Sequence, residues 1–101
     1  MLPPNIRDLV KQLTEKTESR SVNWQYNNDE AEVSTRFTSF GVVIRYQFDM
    51  MEEVGQFILW YTDNQTGITH PFSTNQLYRD YNEIEYLYDL ARSSGLSFNF
   101  D

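Results

Sequence analysis

The stretch that decides the fold is Val42-Val43-Ile44-Arg45-Tyr46-Gln47-Phe48, followed after an acidic loop by Gln56-Phe57-Ile58-Leu59-Trp60-Tyr61-Thr62. Val42, Ile44, Tyr46 and Phe48 alternate with Val43, Arg45 and Gln47, which is the period of a β-strand. Gln56 to Thr62 is the most apolar run and carries large side chains on both parities. Asp63-Asn64-Gln65-Thr66-Gly67 then supplies hairpin-turn chemistry. Short connections of this kind suit antiparallel pairing, not parallel crossovers.

Working upstream, Ala31, Val33, Thr35 and Phe37 alternate with polar neighbours, and so do Val22, Trp24 and Tyr26. Ser39-Phe40-Gly41 reads as a tight connection with Gly41 available for positive φ. Downstream, Ile68, His70 and Phe72 predict a fifth, shorter strand that Pro71 places at an edge. A helix is predicted from about residue 5 to about residue 18. Ile6, Leu9, Val10 and Leu13 recur at helical spacing, with Asn5 as its cap. Leu77, Tyr81, Ile84, Leu87, Tyr88 and Ala91 form a second helical stripe, ended by Gly95, with Leu96 making the contact that accompanies such a cap. Two capping boxes compete for its start, Ser73 with Gln76 and Asn82 with Glu85, and the second is the better start for the main helix.

The expected architecture is a single α+β domain over residues 1–101. It has an N-terminal helix, an antiparallel meander of four to five strands and a C-terminal helix, with both helices on one face of the sheet. Trp24, Phe37, Ile44, Leu59, Leu13 and Leu87 are expected in the core. Phe37, Tyr46, Phe48, Phe57, Leu59 and Tyr61 fall on the helix-facing parity. The opposite parity carries Arg36, Val43, Arg45, Ile58, Trp60 and Thr62. The tail Leu96-Ser97-Phe98-Asn99-Phe100 is apolar enough to be expected to dock.

Leu13-Thr14-Glu15-Lys16-Thr17, the later Trp24, Gly41 before an alternating strand, and the final Leu87-Tyr88-Asp89-Leu90-Ala91-Arg92-Ser93-Ser94 together resemble a recurring type of small bacterial and phage protein of uncharacterised function. The resemblance implies an α+β meander and a bacterial or phage origin. It implies no active site.

Several chemistries are disfavoured. The chain has no cysteine and one histidine, so thiol catalysis and thiolate or multi-histidine metal centres are out of reach for one chain. No Gly-x-Ser-x-Gly element or phosphate-cradling glycine loop occurs. His70, with Thr69 and Ser73 nearby in sequence, reads as a partly exposed edge residue rather than a general base. No catalytic residue, cofactor or metal site is expected. Residues 1–48 carry six acidic and six basic residues, and residues 49–101 carry nine acidic and two basic, so all of the net charge of −7 lies in the second half. Direct nucleic-acid binding needs a basic patch and is not expected. The start of the chain has no basic region ahead of an apolar run, and Phe57–Tyr61 is far shorter than the about 20 residues of a membrane span. A cytoplasmic, membrane-free protein is the expectation.

The remaining signal is aromatic. Arg and Trp are enriched at binding hot spots, and Arg36, Val43, Arg45, Ile58 and Trp60 share one sheet face. A strand that is apolar on both sides needs two covering layers. The second cover is the tail, the Leu77-to-Tyr81 segment or a second copy of the chain. A further candidate surface is the acidic final helix with Tyr78 and Tyr86. The leading expectation is a non-catalytic module that binds protein, itself as a homodimer and another protein as partner. The alternatives are a small-ligand or nucleotide binder, in which Trp60 or tyrosine stacks on a base and Arg36 or Arg45 meets phosphate, and an acidic inhibitor that imitates nucleic acid.

Overall fold

Ile6, Val10, Leu13 and Thr17 form one buried stripe on helix α1 (Pro4–Glu18), at the three- and four-residue spacing that returns to one helix face. The computed structural model describes residues 1–96 and 100. After α1 come β1 (Gln25–Asn27), β2 (Glu32–Arg36), β3 (Phe40–Asp49), β4 (Val54–Asp63), β5 (Thr69–Asn75) and helix α2 (Asp80–Ser93). The strands form one antiparallel sheet in the order β1-β2-β3-β4-β5, a simple meander. Both helices lie on one face, as the sequence pattern predicts. None of the described helices is long and apolar enough to cross a membrane.

The β3–β4 hairpin is the longest pairing and sets the alternation for the sheet. Ile44 opposes Leu59, which opposes Phe72, on the helix side. Val33, Val42, Ile44, Phe57 and Leu59 are buried there against Leu13, Ile84, Leu87 and Ala91 of the one core cluster. Trp24 is buried just before β1, and its indole N–H donates to Thr17 Oγ1 at 2.9 Å. Phe37 is only partly buried and packs on the rim of the core. Tyr46 and Phe48 have the helix-facing parity but are exposed. They lie toward the tip of a hairpin ten residues long on each strand, and Phe48 is 51 % exposed there. Gly55, opposite Phe48, is where close approach demands glycine. A Cβ there would sit 2.8 Å from the Tyr46 hydroxyl and 3.1 Å from the Tyr81 hydroxyl.

Several boundaries differ from the sequence reading. Pro3, not Asn5, occupies the N-cap of α1, and Pro4 takes the first helical position, where a missing N–H is harmless. Asn5 lies inside the first turn and accepts from the Ile6 N–H. Neither capping box forms. Ser73 is part of β5 and Asn82 is inside α2. Gln76 instead reaches back to accept from the Gly55 N–H at 2.8 Å. Leu77 lies in the β5–α2 connection and is 70 % exposed, because α2 begins three residues later. Gly41 is already paired within β3 and does not take positive φ. The turn lies ahead of it, closed by the Phe37 N–H to the Phe40 carbonyl. Of the tail expected to dock, Leu96 and Phe100 are exposed, and Ser97, Phe98 and Asn99 lie outside the described residues.

The residues ahead of α1 and the start of α2 meet at a buried carboxylate. Asp80 accepts from the Leu2 backbone N–H at 2.6 Å and from the Thr74 hydroxyl, and all three residues are buried. A buried carboxylate is tolerable only when such donors replace water.

Two outcomes test this core. Leu59→Ala removes a side chain with no solvent exposure and should lower unfolding free energy by about 2–5 kcal/mol in a denaturant titration. Burial, with Glu85 adding to it, pushes the Tyr81 phenol up to about 12, and burial beside Tyr26 does the same for Tyr88. The folded state therefore holds these protons more tightly than the unfolded chain, in which the phenols ionise near 10. Stability from this source is complete below pH 10 and is lost as pH rises toward about 12. Denaturation measured across that window should steepen accordingly, and the Tyr81→Phe, Tyr88→Phe double variant should flatten the slope.

Candidate functional site

Side chains of even spacing along β3 and β4 leave the helix layer and form the outer sheet face. Strand register fixes which of them adjoin. Gln25, Ser34, Val43, Trp60 and Pro71 lie in one cross-strand row, and Asn27, Glu32, Arg45, Ile58 and Ser73 in the next. Val43, Ile58 and Trp60 are half-buried and Pro71 is exposed, which makes a small apolar centre within a polar surround. No helix among the described residues covers it.

Arg45 organises this centre. Its guanidinium carbon lies 5.6 Å from the Trp60 ring centroid. Its Nη2 stands 3.3 Å from Glu30 and 3.8 Å from Glu32. The same arginine thus covers an indole face and sits between two carboxylates, while its buried Nε has no hydrogen-bond partner among the described residues. Arg36 lies two rows from Arg45, on the far side of Val43 and opposite Gly41, and carries no such pairing among the described residues.

Of the seven sequence candidates, the fold therefore gathers five on one face: Arg36, Val43, Arg45, Ile58 and Trp60. Tyr78 and Tyr86 are elsewhere. Tyr78 is in the β5–α2 connection, and Tyr86 is on α2, where its hydroxyl donates to Glu18 of α1 at 3.0 Å. That hydrogen bond pushes the Tyr86 phenol upward. The acids of α2 are also partly engaged. Asp80 is buried, Glu83 pairs with Arg7 at 3.2 Å, and Asp89 pairs with Arg92 at 3.3 Å.

His70 stands on the opposite parity of β5 from Thr69 and Ser73, so strand alternation keeps the imidazole and those hydroxyls on different faces. Its ring lies near Tyr61, with centroids 6.5 Å apart. Among the described residues no group of three or more His, Asp or Glu side chains is placed to hold a metal. Pro71 was not anticipated as part of the face, although its registry with Trp60 follows from the same alternation.

Neither sheet edge is a good template for a further strand. β1 has three residues. β5 carries Pro71 at its middle, which removes a backbone donor from the row.

Comparison with protein-family models, with curated proteins and with solved structures finds no match to this chain.

Replacing Arg45 with Ala should lower stability by about 1 kcal/mol, the combined scale of partly exposed ion pairs and one cation–π contact. The loss should shrink when the denaturant titration is repeated at high salt.

Proposed function

We propose that the chain is a non-catalytic module that works by protein–protein contact through the outer sheet face, with a second copy of itself as the first occupant and another protein as its further partner. The observation that carries this reading is the half-exposed Val43, Ile58 and Trp60 centre, over which no other described element folds. An apolar patch with an aromatic and an arginine at its middle has the composition of an interface core.

Self-association is favoured by charge as well as by shape. The patch carries both signs of charge, Arg45 beside Glu30 and Glu32, which suits a self-complementary two-fold contact. Two sheets packed in this way stand about 10 Å apart with side chains interdigitated. The poor edges argue for face packing over strand addition. The cysteine-free composition and the resemblance to small bacterial and phage proteins support a cytoplasmic setting in a bacterium or an infected cell.

Sedimentation at micromolar concentration tests the reading. The expected species has twice the 12.0 kDa chain mass. Trp60→Glu should return it to a single chain with an unchanged far-ultraviolet circular dichroism spectrum. A wild-type protein that sediments as a single chain across that range overturns self-association.

A further inference from the structure

Beyond the apolar centre, the outer face holds a polar pocket of about 560 Å³ where the start of β1 meets β2, β3 and β4. Its side chains include Asn23, Gln25, Ser34, Arg36 and Thr62, and Gly41 lies among them. Gly41 is opposite Arg36 on one side and Thr62 on the other.

Gly41 is not explained by the backbone or by packing. Its φ is not positive, and an added Cβ would meet only the Thr35 carbonyl oxygen, at an ordinary 3.6 Å. A glycine inside a strand weakens it, and often marks a place where something approaches the backbone closely. Here its effect is to leave the middle of the pocket open. The surrounding side chains are also uncommitted. Among the described residues, those of Asn23, Gln25, Ser34 and Arg36 make no hydrogen bond within the protein, although they converge on one pocket.

Charge narrows the ligand. Arg7, Arg45 and Arg92 each have a carboxylate partner. Arg36, like Arg20 and Arg79, has none among the described residues, and it is the one of these that lines the pocket, where no acidic residue stands. One free guanidinium amid neutral amides and hydroxyls matches a single oxyanion attached to a hydroxyl-rich body. The volume lies within the usual range for a small-molecule site and far exceeds what a bare inorganic anion fills.

We propose that this pocket binds a small polyhydroxylated ligand carrying one oxyanion, a sugar phosphate or a sugar acid. Arg36 takes the oxyanion, Asn23, Gln25 and Ser34 take the hydroxyls, and Gly41 leaves the room. The pocket adjoins the apolar centre at Val43, which lines both, and its polar side chains lie toward the start of β1 and the start of β3.

The test is a titration of the ¹⁵N-labelled protein with glucose 6-phosphate, glucuronate, glucose and inorganic phosphate, following backbone amide shifts. Saturable shifts at Ser34, Arg36, Gly41 and Thr62 are expected with at least one charged sugar, and which one responds identifies the oxyanion. Arg36→Met, at an exposed position, should weaken that binding by about tenfold or more. Gly41→Val should block it. If Gly41→Val does not fold, Arg36→Met decides alone. The proposal is overturned by any of four results: no saturable response to either charged sugar, binding unchanged in Arg36→Met, glucose binding as tightly as its charged relatives, or inorganic phosphate doing so.

Discussion

Ten consecutive residue pairs between β3 and β4, from Phe40 with Asp63 to Asp49 with Val54, constrain everything else in this protein. A slip of one residue would turn Ile44 and Leu59 to the outside and bring Arg45 and Trp60 under the helices. The first pair has no solvent exposure and the second carries a charge, so burial itself holds the register. The turn chemistry agrees with it. Gly67 has φ +75° and its N–H donates to the Asp63 carbonyl at 2.7 Å, which returns the chain into β5 in phase. Because each strand pairs with its neighbour in sequence, one register propagates through all five.

The helix layer depends on that sheet but is locked by polar contacts at its margins. α1 and α2 are separated by most of the chain, yet Asp80 at the first turn of α2 accepts from the Leu2 N–H immediately before α1. The Thr74 hydroxyl ties the same carboxylate to β5. Removing the carboxylate would leave a buried N–H and a buried hydroxyl unpaired together, a cost of about 1–3 kcal/mol for each. On the other side of the helix pair, Arg7 with Glu83 and Tyr86 with Glu18 are exposed contacts of much smaller weight. The asymmetry means that the helices are positioned chiefly by their buried faces and the Asp80 clamp.

Features with a short period were legible in the sequence, and features that depend on distant residues were not. The alternation Val42-Ile44 and Leu59-Tyr61 announces both sheet faces, so the candidates Arg36, Val43, Arg45, Ile58 and Trp60 could be grouped before any coordinates. The end of α1 was recoverable only to within a few residues because no glycine marks it. Arg20 takes the left-handed position at φ 62° while the Ser21 N–H closes on the Lys16 carbonyl. The start of α2 was misplaced because its first residue is chosen by contacts far away. Asp80 serves Leu2 and Thr74 and not a local cap, and Gln76, which mimics half of a capping box, serves Gly55. Tyr46 and Phe48 had the right parity but the wrong burial, since alternation says which way a side chain points and not how far the covering layer extends. Nothing in the sequence placed Asn23 and Gln25 beside Arg36, because that needs the pairing of β1 with β2.

The outer face resolves into two chemistries on one lattice of positions. Toward Pro71, Ser73 and the middle of β4, the rows present Val43, Ile58 and Trp60, with Arg45 held between an indole and two acids. Toward the start of β3, the same parity presents Gly41 between Arg36 and Thr62. A Cβ at position 41 would meet only the Thr35 carbonyl oxygen at an ordinary distance, and side chains other than glycine strengthen a strand. Glycine there ends the apolar centre at Val43 and leaves no side chain between Arg36 and Thr62. Stability alone would favour filling the position, so Gly41 is the point on which the proposed ligand pocket turns.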